Sequence, residues 1–78
     1  MNKLYHRIGR IMRIDLRTGD AYEAVFPARC AFITLAKAMG HERKEIAKML
    51  GCSLGFVTDH GEGLKYNKVY NNLIKRLT

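Results

Sequence analysis

Between Arg43 and His60 the chain gathers side chains whose chemistry suits a polyanionic groove. Ser53 can bond a phosphate or a base edge, Thr58 can bond or meet a thymine methyl, and Asp59 can accept from cytosine, with His60 next in line. Arg43 and Lys44 lead into this stretch, while Arg29, Lys65 and Lys68 flank it as further cations for a phosphate backbone. No Arg, Asn or Gln lies between Ser53 and His60, so the strongest bidentate pairings with bases are missing. Leu54, Gly55 and Phe56 interrupt the polar residues instead, and an apolar surface of that kind can sit beside thymine methyls or dock a protein.

Other chemistries lack a pattern. Cys30 and Cys52 form no Cys-x-x-Cys pair, and His6, His41 and His60 do not complete a zinc-finger spacing with them. Two buried, reduced thiols are expected, with no metal. A Gly-rich phosphate loop, a nucleophile elbow and a paired-carboxylate motif are all missing, and Asp59-His60 is only a neighbouring pair. The expectation is therefore a protein without cofactor that is not an enzyme.

The elements that must position these residues follow from spacing. Arg43 to Val57 has the order a helix-turn-helix requires: Ala47 is small where two helices cross, and Gly51 permits the turn. Ile46, Leu50 and Val57 supply apolar contacts, and Ser53 is placed to cap the second helix. The motif spans about residues 43–60. Before it, Pro27 suits the start of a helix running from Ala28 to Met39, apolar on much of its circumference through Ala31, Phe32, Leu35, Ala36, Ala38 and Met39. This helix is expected to be the most buried, and Gly40 to end it.

Leu4, Ile8 and Ile11 predict an N-terminal helix over about 3–14, with Arg7 and Arg10 on other faces. The alternation from Met12 to Arg17 and the turn signal Thr18-Gly19-Asp20 permit a rival hairpin over 12–26; helix followed by loop is preferred, because an isolated hairpin is only marginally stable. Gly61-Glu62-Gly63 predicts a bend before a basic terminal helix over about 64–77. Its apolar face is Tyr66, Val69, Tyr70, Leu73, Ile74 and Leu77, opposite Lys65, Lys68, Asn72, Lys75 and Arg76. Tyrosines at that spacing are read as core, although they could stack on unpaired bases.

Composition agrees with one small all-α domain over residues 1–78. Fourteen Lys and Arg against seven Asp and Glu give a net charge of +7, which favours a polyanionic partner. A hydrophobic fraction of 47% argues against disorder, and no apolar run approaches the ~20 residues of a membrane span. The opening residues lack the apolar stretch of a secretory signal, so a cytoplasmic location is expected.

The order Ala28-Arg29, then Leu35-Ala36-Lys37 and Met39, then Arg43-x-Glu45-Ile46-Ala47-x-x-Leu50-Gly51 and a further basic helix, resembles the C-terminal DNA-binding domain of bacterial chromosomal replication initiators, the DnaA family. The resemblance covers about residues 3 to 77 and is strongest from Ala28 to Gly51. It implies a compact domain of four to five helices similar to the Trp repressor fold, with a recognition helix in the major groove. It also implies a basic-loop role for Arg29 and a phosphate contact for Lys44. The chain departs from the family where it carries Cys52-Ser53-Leu54-Gly55-Phe56 in place of the Arg-Asp-His-Thr stretch, so the initiators' target sequence does not carry over. The ATPase modules of a full initiator are also missing from these 78 residues.

Two functional readings remain. The first is a sequence-specific protein for double-stranded DNA, a regulator of a phage or mobile element, and a homodimer would match two half-sites. The second is a protein-interaction adaptor that uses Leu54, Phe56 and the terminal helix to engage a partner or itself.

Overall fold

The stretch from Val25 to Ala36 contains only two side chains of strong polarity, Arg29 and Thr34, so as a helix it must be covered on nearly every side. In the computed structural model it lies within α2 (Tyr22–Ala38), where Val25, Ala28, Cys30, Ala31, Phe32, Ile33, Leu35 and Ala36 are all buried. The structure describes residues 2–13, 16, 22–59 and 67–77. These form α1 (Asn2–Met12), α2, α3 (Arg43–Leu50), α4 (Leu54–Asp59) and α5 (Lys68–Leu77), with no strand among the described residues. The fold is all-α, in a body 26 × 26 × 23 Å across.

Helices α1, α3 and α5 each pack on α2, and α4 packs on α3. From α1 come Leu4 and Ile8, whose spacing of four places them on one face, and Tyr5 meets Phe32 edge-on at 5.9 Å. From α5 come Tyr70 and Leu73, with Val69, Ile74 and Leu77 at the margin. The Tyr70 hydroxyl bonds Thr34 Oγ1 at 3.0 Å, so this tyrosine is a core residue with its polar end satisfied. Each large side chain removed from water in this way contributes roughly 1.5–3 kcal/mol.

Local signals set the helix ends. Gly40 and Gly51 have φ of 92° and 65°, left-handed values that glycine adopts without steric penalty. At each, two backbone bonds close the preceding helix: Gly40 N donates to Lys37 O and His41 N to Ala36 O, then Gly51 N to Lys48 O and Cys52 N to Ala47 O. Ser53 Oγ accepts from Phe56 N at 3.1 Å, the expected cap of α4. Asn67 Oδ1 does the same for α5 from Tyr70 N at 3.0 Å, a cap the sequence reading did not anticipate.

Several boundaries differ from expectation. Pro27 does not begin its helix; α2 starts at Tyr22 and carries the proline inside. The missing N–H removes only the bond to the carbonyl of residue 23, a local loss near the helix start, while the buried ring fills the core. Residues 22–26 are therefore helical, which overturns both the loop and the rival hairpin there; the Thr18-Gly19-Asp20 turn lies outside the described residues. Helix α1 ends at Met12, not at residue 14, because Arg13 takes a left-handed φ of 56°. Ala38 and Met39 were expected in the buried stripe but are exposed, Met39 at 59%, since the Gly40 turn carries the end of α2 beyond its neighbours. The terminal helix begins at Lys68, not near residue 64, because Asn67 caps it there; Gly61-Glu62-Gly63 and residues 64–66, including Tyr66, lie outside the described residues.

Cys30 is fully buried in α2, and burial pushes its thiol from 9.0 up to about 11. The unfolded chain then ionises this thiol first as pH rises. The stability that the neutral thiol confers is complete below pH 9 and is lost towards pH 11. Between those values the denaturation midpoint of the wild type should fall more steeply than that of Cys30→Ala, and parallel slopes would refute this.

Candidate functional site

Helices α3 and α4 are joined by Gly51, Cys52 and Ser53, a helix-turn-helix arrangement. Ile46, Leu50 and Val57 are fully buried and Ala47 nearly so, which locks the pair together and turns the remaining positions outward. Exposed on α3 are Arg43, Lys44, Glu45 and Lys48; exposed at the turn and on α4 are Ser53, Leu54, Gly55 and Thr58.

A shallow hollow of about 600 Å³ opens where the starts of the two helices come near each other. Its lining includes Lys37, His41, Arg43, Lys44 and Leu54, with Glu42 as the one acidic residue among them. Glu42 sits at the N-cap of α3 without giving a side-chain cap, so the N–H groups of the first turn have no acceptor from that side chain. Those donors, the positive end of the helix dipole and the Arg43 and Lys44 cations together suit an anionic oxygen. His41 Nδ1 lies 3.6 Å from Glu45 Oε2, which holds that carboxylate against α3's own first turn.

Gly55 stands in the first turn of α4 without needing to be glycine for packing. A Cβ built there would approach only Ser53 Oγ, at 3.9 Å, an ordinary contact. Glycine inside a helix costs roughly 0.5–1 kcal/mol against alanine, so here it lowers stability while leaving the backbone open to close approach. Thr58 donates its hydroxyl to Leu54 O at 3.0 Å, leaving the oxygen lone pairs and the methyl for a partner. Leu54 is 46% exposed.

Two expected site residues turn out to hold α4 in place. Arg29 does not lie in a loop; it is half-buried within α2, donates from Nε to Leu16 O, and stacks its guanidinium 5.9 Å from the centre of the Phe56 ring. Phe56 is correspondingly half-buried, edge-on to Phe26 at 6.1 Å, and is not an exposed member of the α4 surface. The cause is shared: α4 has only six residues and needs a ring packed on α2 to fix its direction. Cys52, expected buried, is half-buried at the turn, where burial raises its thiol and the Arg29 charge partly opposes that rise.

Lys37 was missed from sequence. Its Nζ donates to Val57 O at 3.0 Å, satisfying a carbonyl in the last turn of α4 from the last turn of α2. Lys68 is exposed on α5, which packs on α2. The backbone of Asp59 closes α4, and His60 and Lys65 lie outside the described residues. Of the expected residues, the hollow thus unites Arg43, Lys44 and Leu54, while Ser53, Gly55 and Thr58 stand on the same short turn and helix. Among the described residues there is no group of three or more His, Cys, Asp or Glu that could hold a metal ion, and no helix is long and apolar enough to cross a membrane.

No known protein family, curated protein or solved structure matches this chain.

Replacing Lys37 by Met keeps the stem and removes the ammonium, so the Val57 carbonyl loses a charged donor. A stability loss of about 1–2 kcal/mol is expected in chemical denaturation. Hydrogen exchange should rise in α4 before it rises in α1; equal protection in both proteins would exclude this role.

Proposed function

We propose that this chain binds double-stranded DNA through the outward surface of α3 and α4, as a small regulator of transcription or replication. The observation that carries the reading is the helix-turn-helix whose first helix opens, without a side-chain cap, into a hollow lined by Arg43 and Lys44. Arg43, Lys44 and Lys48 hold phosphates, and the first turn of α4 meets the base edges with Ser53, Leu54, Gly55 and Thr58. Lys68 adds a backbone contact from α5. Arg29 and Phe56 leave the contact set, since both are engaged with the core. The net charge of +7 supports approach to DNA, and the reading places the protein in the cytoplasm, where thiols stay reduced.

The motif likeness to the replication initiators supports a related scaffold, similar to the Trp repressor, and not a shared target. Without Arg, Asn or Gln on the described part of α4, discrimination between sequences comes from shape and methyl contacts more than from bidentate bonds. A second reading, a protein-docking surface that includes pairing of two copies, is favoured by the exposure of Leu54 and Met39. It predicts association that Leu54→Ala weakens and that added duplex leaves unchanged.

Fluorescence anisotropy against random and genomic duplexes at several salt concentrations tests the first reading. Log affinity should fall linearly with log salt, and Lys44→Ala should lower the slope by about 0.9 while weakening all duplexes alike. Absence of binding at low salt would overturn the proposal. Gly55→Ala separates function from fold: thermal stability should rise by roughly 0.5–1 kcal/mol while affinity for the preferred duplex falls. Unchanged affinity would remove Gly55 from the interface.

A further inference from the structure

Helix α1 carries a charge pattern for which the α3 and α4 surface has no use. Its apolar residues turn towards α2, leaving Lys3, His6, Arg7 and Arg10 exposed around a shallow hollow of about 410 Å³. Spacings of three and four put these side chains on one outward face. The helix contains no Asp or Glu, and none of the four pairs with an acid among the described residues. Lys3 stands in the first turn, where the positive end of the helix dipole opposes a cation. Lys3 and Arg7 repel at four residues' separation, as do Arg7 and Arg10 at three. Arg10, in the last turn, suits the helix dipole, but Lys3 in the first turn and the two like-charge pairs weaken α1 as an isolated element, and a row of negative charges laid along the face would reverse their sign.

Dimensions narrow the partner. From Lys3 to Arg10 the helix advances about 10 Å, the span of about three phosphates of one strand at about 3.4 Å each along the duplex axis. The body measures 26 Å at its widest, less than the roughly 34 Å of one turn of duplex. A duplex held by α3 and α4 therefore lies within one body width of α1, because α1 and α3 are both mounted on α2.

We propose that Lys3, Arg7 and Arg10 form a second, sequence-independent clamp on the phosphate backbone of the same duplex that α3 and α4 engage. This rests on the duplex-DNA reading and adds to it a contact surface on a separate helix. The clamp supplies affinity and salt sensitivity, while base preference stays with α4.

The test is the double variant Arg7→Ala, Arg10→Ala, titrated by anisotropy against a 30-base-pair duplex of preferred and of scrambled sequence over a range of salt. The salt slope should fall by about 1.8, two phosphates at about 0.9 each, with the ratio of preferred to scrambled affinity unchanged. Thermal unfolding should show a Tm no lower than that of the wild type, since like charges are being removed from an exposed face. Sedimentation at saturation should give one duplex per chain or per dimer. An unchanged slope would overturn the clamp while leaving duplex binding by the wild type intact. A reduced slope with two duplexes per chain would overturn the placement on one duplex in favour of bridging. Failure of the wild type to bind any duplex would remove the parent reading and the clamp with it.

Discussion

A helix apolar around most of its circumference is stable in water only when other elements surround it, and α2 imposes that condition on everything else in this chain. Cys30, Ala31, Phe32 and Ile33 are fully buried at four consecutive positions, about 100° apart around the axis, so no single neighbour can cover them. Helices α1, α3 and α5 all pack on α2, each contributing two or three buried residues. Helix α4 is too short to add a full stripe of its own and reaches the core through Val57 and Phe56. The outward surface of α3 and α4 is thus set by what α2 demands of their inner sides.

Charge is divided by the same logic. Most described cations stand on outer faces, but Arg29 and Lys37 turn to α4 and its surroundings, one through Leu16 and the Phe56 ring, the other through the Val57 carbonyl. Both keep enough exposure to avoid the cost of a fully buried charge, and no charged residue among those described is buried. Two long, donor-rich side chains thereby do for a six-residue helix what a longer helix would do with apolar contacts. Their positive charge still adds to the field that surrounds the α3 and α4 surface.

What was legible in the sequence is what depends on neighbours along the chain. Gly40, Gly51 and Ser53 end or begin helices through bonds spanning three to five residues, and their types announce it. The apolar faces of α1 and α5 follow from spacing alone, as does the burial of Ile46, Leu50 and Val57. What was not legible depends on contacts across the fold. Pro27 reads as a helix start until the burial of Val25 and its neighbours shows that packing outweighs one missing bond. Arg29 and Phe56 read as surface residues because nothing local reveals that they face each other across 27 positions. Lys37 reads as a break in an apolar stripe, and only the position of α4 gives it a partner. The α4 surface residues themselves were legible in kind, through the helix-turn-helix order, but the withdrawal of Phe56 from that surface was not.

The embrace of α2 by α5 also has a temporal side. The Tyr70 hydroxyl meets Thr34, 36 positions earlier in the chain, and Leu73 helps to close the same face. A ribosome adding about 5–20 residues per second needs on the order of a few seconds to pass from the end of α2 to the end of α5. Throughout that interval the nascent chain holds its most apolar helix with one side uncovered. The finished protein hides its stickiest surface completely, yet every copy must first expose it, so the period of greatest hazard for this fold is its own synthesis.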